Sequence, residues 1–127
     1  MIEIMPEYIL DQLTALAGEP RILSPGAYLF HQGDAVGSLF IVAGGAIELV
    51  RHQPDGGTIV LQRGTAGTIL AGASIYSDRY HCDAIARLQS SVFELPKPLF
   101  LDHLRSDAAL ADFWATHLAR EVQSARY

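Results

Sequence analysis

Apolar and polar positions along the middle of this chain fall into short runs punctuated by glycine and proline. Arg21 to Ser24 reads as a first short strand, and Pro25-Gly26 turns out of it. Ala27 to His31 is the next run, closed by Gly33-Asp34. Ser38 to Ala43 is apolar and rich in β-branched and aromatic residues, which is a strand composition. After Gly44-Gly45, Ala46 to His52 alternates, which directs Ile47 and Leu49 inward and Glu48 and Val50 outward. Pro54-Asp55-Gly56-Gly57 is a hairpin signal. The returning strand, Thr58 to Arg63, sets Ile59 and Leu61 against Thr58, Val60 and Gln62. Gly64 and Gly67 turn the chain into a short apolar piece, Thr68 to Leu70. Cys82 to Ala86 and Ser91 to Leu95 are the last strands, and Pro96 ends the second of them. Short strands with turns about every eight to twelve residues predict an antiparallel sandwich or barrel.

Helical periodicity is confined to the flanks. Pro6 opens a helix over Glu7 to Leu16, with Ile9, Leu10, Leu13 and Leu16 on one face and Gly18 as its stop. Ala71 to Tyr76, rich in small residues, reads as a single helical turn, and Ser77 to His81 as loop. Pro96 and Pro98 lead into a short helix, Leu99 to Leu104. Ser106 or Asp107 caps a final helix drawn to Tyr127. Its apolar positions are Leu110, Phe113, Trp114, Leu118, Val122 and Ala125, with His117 on the same side. That stripe is wider than one contact needs. The β layers take one side, and a second copy takes the other as in a coiled-coil seam. Leu110, Trp114, His117, Leu118, Val122 and Ala125 are the expected interface. The end at Arg126-Tyr127, with no glycine C-cap, reads as a helix cut short or continuing in a longer protein.

Composition narrows the function classes. The chain has 127 residues, 50% of them hydrophobic and 18% charged, which gives one domain with a real core and argues against disorder. No apolar run is long enough for a bilayer, and MIEIMPEY has no basic start or cleavage site, so no membrane partner is expected. Net charge is -5 and Lys97 is the single lysine, which argues against this segment gripping a nucleic-acid backbone. Cys82, the single cysteine, excludes an internal disulfide and fits a cytoplasmic location.

Pro25, Gly26, Leu29, Phe30, Gly33 and Asp34, followed by Leu39, Phe40, Ile41, Val42, Gly45, Ile47 and Leu49, spell P-G-x-x-L-F-x-x-G-D and L-F-I-V-x-x-G-x-I-x-L. This pattern resembles the opening of the cyclic-nucleotide-binding fold of Crp/Fnr-type bacterial transcription regulators, and the resemblance runs from Ile9 to about Val122. It implies a mainly β protein with flanking helices, a double-stranded β-helix (jelly roll or β-roll) with a short N-terminal helix and a long C-terminal dimerisation helix. It also implies one sensory domain over 1–127. Its parts are an N-terminal helix (6–18), a β-roll (21–95), a short helix (96–105) and a dimerisation helix (107–127). The implied function is effector sensing and homodimerisation, with DNA contacted only through a helix-turn-helix domain missing from this chain.

In that family a cassette resembling G-x-x-x-G-E, then a loop, then R-S/T-A, holds the cyclic phosphate. Gly67 matches its first glycine, Ala71-Gly72 its G-E pair, and Cys82-Asp83-Ala84, or a register one residue earlier, its R-S-A triplet. The family's glutamate accepts from the ribose 2′-hydroxyl, and here Gly72 has no side chain. The family's arginine forks onto the phosphate, and here His81 or Cys82 stands in its place, followed by Asp83. Loss of such a desolvated charge pair costs about 2–5 kcal/mol, more than tenfold in affinity at about 1.4 kcal/mol per decade. Ordinary cyclic-AMP binding is therefore not expected, and no cofactor is. Arg79 could reach in from its loop, whereas Arg87 lies beyond the strand and faces solvent. The candidate pocket comprises Ile47, Leu49, Leu61, Ile69, Ala71, Gly72, Ala73, Ser74, Arg79, His81, Cys82 and Asp83, with the effector itself unidentified.

Three rivals remain. A haem sensor through His81 and Cys82 is disfavoured because adjacent strand residues point to opposite faces and no second metal-spaced pair exists. A redox switch at Cys82 would need exposure and a lowered thiol pKa, which His81 could supply, but burial is the commoner state of a cysteine. A ligand-free dimerisation scaffold of the same fold fits the lost anchors. A cupin-like metalloenzyme would need clustered histidines, but His31, His52, His103 and His117 are scattered and Ser74 and Asp83 form no triad, so no catalytic residue and no metal site is assigned.

Overall fold

The computed structural model describes residues 5–124. Helix α1 (Glu7–Ala17) leads into β1 (Arg21–Leu23), β2 (Tyr28–Phe30), β3 (Ser38–Gly44), β4 (Ile47–His52), β5 (Thr58–Gly64) and β6 (Ile69–Leu70). A one-turn 3-10 helix, Gly72–Tyr76, precedes β7 (Asp83–Ala86) and β8 (Ser90–Pro96), and α2 (Lys97–Ser106) and α3 (Ala108–Ser124) follow. The strands form two four-stranded antiparallel sheets, ordered β1-β8-β3-β6 and β2-β7-β4-β5. The chain changes sheet at every connection except β4 to β5, which makes the two-layer antiparallel architecture that the glycine-punctuated runs predict and the β-roll that the resemblance implies. Between the sheets Phe40, Val42, Ile47, Leu49, Ala84, Ala86 and Val92 are buried, and Leu39, Ile41 and Leu95 are buried on the opposite face of the first sheet.

Two strands depart from simple alternation. Val50, expected outward, is fully buried yet stands outside the main core cluster. Its register partner in β7 is Asp83, and Glu48 pairs with Ile85, so Val50, Asp83 and Ile85 share the outer face of their sheet and are buried there. In β5 the pairing passes from Leu49↔Gln62 to Val50↔Val60, which leaves Leu61 as an unpaired extra residue in a bulge. Leu61 and Ile59, both expected inward, are each 44% exposed.

The helices are anchored by polar ends. Gly18 stops α1 at φ 78° and donates its N–H to the Thr14 carbonyl. Helix α2 starts earlier than Leu99, because Pro98 is harmless in a first turn where its missing N–H has no partner to lose. Asp107 is the cap of α3: its Oδ1 accepts the Leu110 N–H at 3.0 Å, and its Oδ2 accepts from Gln12 of α1 at 2.6 Å. The stripe on α3 is divided. Leu110 is fully buried and Trp114 is 3% exposed, its ring set edge-on to Phe100 of α2 at 4.8 Å. These two expected interface residues are consumed by the subunit's own core, because α2 folds back beside α3. His117 and Leu118 are half-buried, Val122 is 57% exposed, and Ala125 lies outside the described residues.

Candidate functional site

The turn after β6 is where the chain is most unusual. Ala71 sits at φ 50° and ψ 46°, the left-handed region, and is the single non-glycine residue with positive φ among those described. Gln62 of β5 holds it there: Gln62 Nε2 donates to the Ile69 carbonyl at 3.2 Å, and Oε1 accepts the Ala71 N–H at 3.4 Å. A glycine fills this position in the motif that the sequence resembles, and the backbone conformation explains why.

Gly72, next in line, is buried under α3. A Cβ there would lie 3.0 Å from Trp114 Cη2, 3.1 Å from Glu121 Oε1 and 3.1 Å from His117 Nε2. Trp114, His117 and Glu121 are spaced three and four apart and so share one face of the helix. Glu121 Oε2 accepts the Ala73 N–H at 3.3 Å, and Oε1 stands 2.9 Å from His117 Nε2. Trp114 Nε1 donates to the Tyr76 hydroxyl at 2.9 Å. Helix α3 therefore holds the one-turn helix at both ends, and it does so through the space that a side chain at 72 would need. The charge brought to this turn is a carboxylate, and a like charge close to a phosphate is repulsive.

Other expected pocket residues are dispersed. Ile47, Leu49 and Ile69 are core residues, and Ser74 contributes an N–H to the Ala71 carbonyl. Arg79 is turned away: its loop bridges to Ala35 and its Nη1 donates to the Gly33 carbonyl at 3.3 Å. Asp83 is buried on the outer face, with Oδ1 accepting the Gln32 N–H at 2.6 Å and Oδ2 paired with His52 Nε2 at 2.9 Å. Arg79 and Asp83 are thus engaged away from the turn at Gly72, and Leu61 stands part-exposed at the bulge in β5. His81 is exposed and Cys82 is buried, and among the described residues no three histidine, cysteine or acidic groups converge on a metal position. Burial pushes the Cys82 thiol up, partly opposed by the Arg51 guanidinium.

Arg51 is the residue that the motif reading missed. It occupies the same face of β4 as Ile47 and Leu49, opposite Ile59, and its Nε donates to the His81 carbonyl at 3.5 Å. Its position is legible from alternation alone, but the motif directs attention to the cassette and away from the hairpin.

The cyclic nucleotide-binding domain family model matches residues 20–107. No curated protein matches the chain. A transcriptional regulator from Thermotoga maritima is 23% identical, superposes with a TM-score of 0.82, and covers 92% of this chain and 92% of its own. The Thermus thermophilus catabolite activator protein is 23% identical with a TM-score of 0.83, over 96% of this chain and 57% of its own. The c-di-GMP responsive global regulator CLP of Xanthomonas campestris is 17% identical with a TM-score of 0.79, over 94% of this chain and 60% of its own. The chain thus spans somewhat more than half of those two longer regulators. At these identities the likeness is one of fold.

Proposed function

The chain belongs to the cyclic nucleotide-binding domain family, and on that premise we propose that it is the effector-sensing and dimerisation domain of a Crp/Fnr-type transcription regulator. It is a binding module and not an enzyme, it acts in the cytoplasm, and it pairs with a second copy through α3. DNA is contacted by a part of the regulator that this chain does not include. The observation that carries this reading is the seating of α3 on the turn at Gly72. A helix bonded to the cassette at Tyr76 and Ala73 must move if that turn moves, which is how a pocket can bias a helix pair between two arrangements. The expectation that cyclic AMP is not gripped in the family's usual way is supported by the absence of an arginine at 81–83 and by the engagement of both Glu121 oxygens, the carboxylate nearest Gly72, with Ala73 and His117. A ligand-free dimerisation scaffold is the second reading, favoured by the commitment of both Glu121 oxygens within the subunit.

Light scattering on the purified chain tests the pairing. A dimer is expected, and Val122→Glu, which sets a charge on the exposed part of the stripe, is expected to give a monomer. A wild-type chain that stays monomeric at high micromolar concentration contradicts the proposal.

A further inference from the structure

We propose that the hairpin end of the inner β4–β5 face binds an organic anion with an apolar body, its charged end held by Arg51 and its body laid on Ile59 and Leu61. This names the effector class of the sensor proposed above and so rests on that reading.

Three observations converge on this end of the sheet. The first is charge. Arg21 pairs with Glu94, Arg63 and Arg87 pair with Glu48, and Arg105 pairs with Asp102. Arg51 is exposed and, among the described residues, has no carboxylate within 4.0 Å; its one bond is the 3.5 Å contact with the His81 carbonyl. A guanidinium has five donors in a fixed fork, so most of this one remains open to a carboxylate, sulfonate or phosphate oxygen pair. Among the described residues Arg79 and Lys97 also pair with no acid and donate instead to the Gly33 and Ser77 carbonyls; Arg51 differs from them in standing opposite the exposed Ile59.

The second observation is surface. Ile59 and Leu61 are large apolar residues, each 44% exposed on the strand that faces Arg51. Leu61 stands at the bulge without a register partner and, like Ile59, is part-exposed, so covering both residues removes apolar area from water. The third is depth. Arg51 reaches the carbonyl of His81, the residue before buried Cys82, and is itself exposed, so it borders the core on one side and solvent on the other. A cation at an apolar rim recognises a charged head and a greasy body together. Nothing in this arrangement requires a ribose or a base. The cassette turn, occupied by Glu121, takes no part in it.

The probe is 8-anilinonaphthalene-1-sulfonate, an organic anion with an apolar body, titrated by fluorescence into the folded chain. Saturable binding is expected, weakened about tenfold or more by Arg51→Gln and also weakened by Leu61→Asp. Arg87→Gln, on the outer face beside Glu48, is expected to leave it unchanged. Competition is expected from 4-phenylbutyrate and not from its neutral amide. Circular dichroism establishes that each variant is folded, and Arg51→Lys serves as the charge-retaining substitute if Arg51→Gln is not, with the amide comparison on wild type deciding the charge requirement in any case. Equal binding by folded Arg51→Gln, equal competition by the amide, or no saturable binding overturns the proposal. If the dimer forms and no anion binds, the ligand class alone fails. If anions bind through Arg51 and the chain is monomeric, the dimeric-sensor reading fails and the site stands.

Discussion

At the scale of single residues the account turns on Gly72. Its missing side chain is what lets Trp114, His117 and Glu121 close on the turn, with three side-chain tips at 3.0–3.1 Å from where a Cβ would be. Gly72→Ala is therefore expected to destabilise the fold by about 1–3 kcal/mol, the range for overpacking. Gly72→Glu is expected to lift α3 away from the turn. Trp114 reports the outcome: it is 3% exposed in the native packing, so its emission should shift to the red as it meets water. Unchanged emission in a folded Gly72→Glu protein would show that α3 does not depend on this vacancy. The sequence made Gly72 visible as a departure from a motif, but it could not show what fills the gap. Glu121 lies 49 positions later, and no local pattern connects a helix carboxylate to a distant backbone N–H. Arg79 illustrates the converse. Proximity along the chain suggested a pocket residue, and the carbonyl of Gly33 draws its guanidinium elsewhere.

At the scale of elements, helix ends and strand runs were legible because their signals are local. Asp107 was one of two expected caps, and the structure shows why it wins over Ser106: its carboxylate serves both the Leu110 N–H and Gln12. Those two bonds, the first above all, hold its carboxyl below the ordinary carboxylate range. The sign follows from linkage. A group whose folded value is depressed adds stability above its unfolded value, near the ordinary aspartate range, and loses it as pH falls through the lower folded value. Asp107→Asn keeps the cap and removes the titration, so its melting temperature should fall less steeply on acidification than that of wild type. Parallel acid profiles would show that Asp107 contributes nothing to the pH dependence. The bulge in β5 was not legible. One extra residue at Leu61 leaves the alternating pattern on either side intact, so the run from Thr58 to Arg63 looks regular until its partners are known. Burial of Val50 was hidden for a related reason, since alternation gives the face but not what covers it.

At the scale of the whole molecule, sheet order is the part that sequence reaches only through resemblance. Glycine-punctuated strands imply two layers, but the long-range pairing of β1 with β8 and of β2 with β7 depends on contacts across most of the chain. The flanking helices follow the same division. The apolar stripe on α3 announced two contact surfaces, and the fold assigns the first half, Leu110 and Trp114, to α2 and the core. No helix among the described residues is long and apolar enough to cross a membrane. What joins the three scales is a cassette shaped like that of a nucleotide sensor, with its turn held by its own helix at Gly72 and no arginine at the position of the phosphate-gripping residue. Calorimetric titration of cyclic AMP into the purified chain tests this most directly. The account predicts no saturating heat below about 1 mM, an affinity weaker than about 4.1 kcal/mol. A saturable isotherm with a Kd of about 1 µM or tighter, near 8.2 kcal/mol, would contradict it.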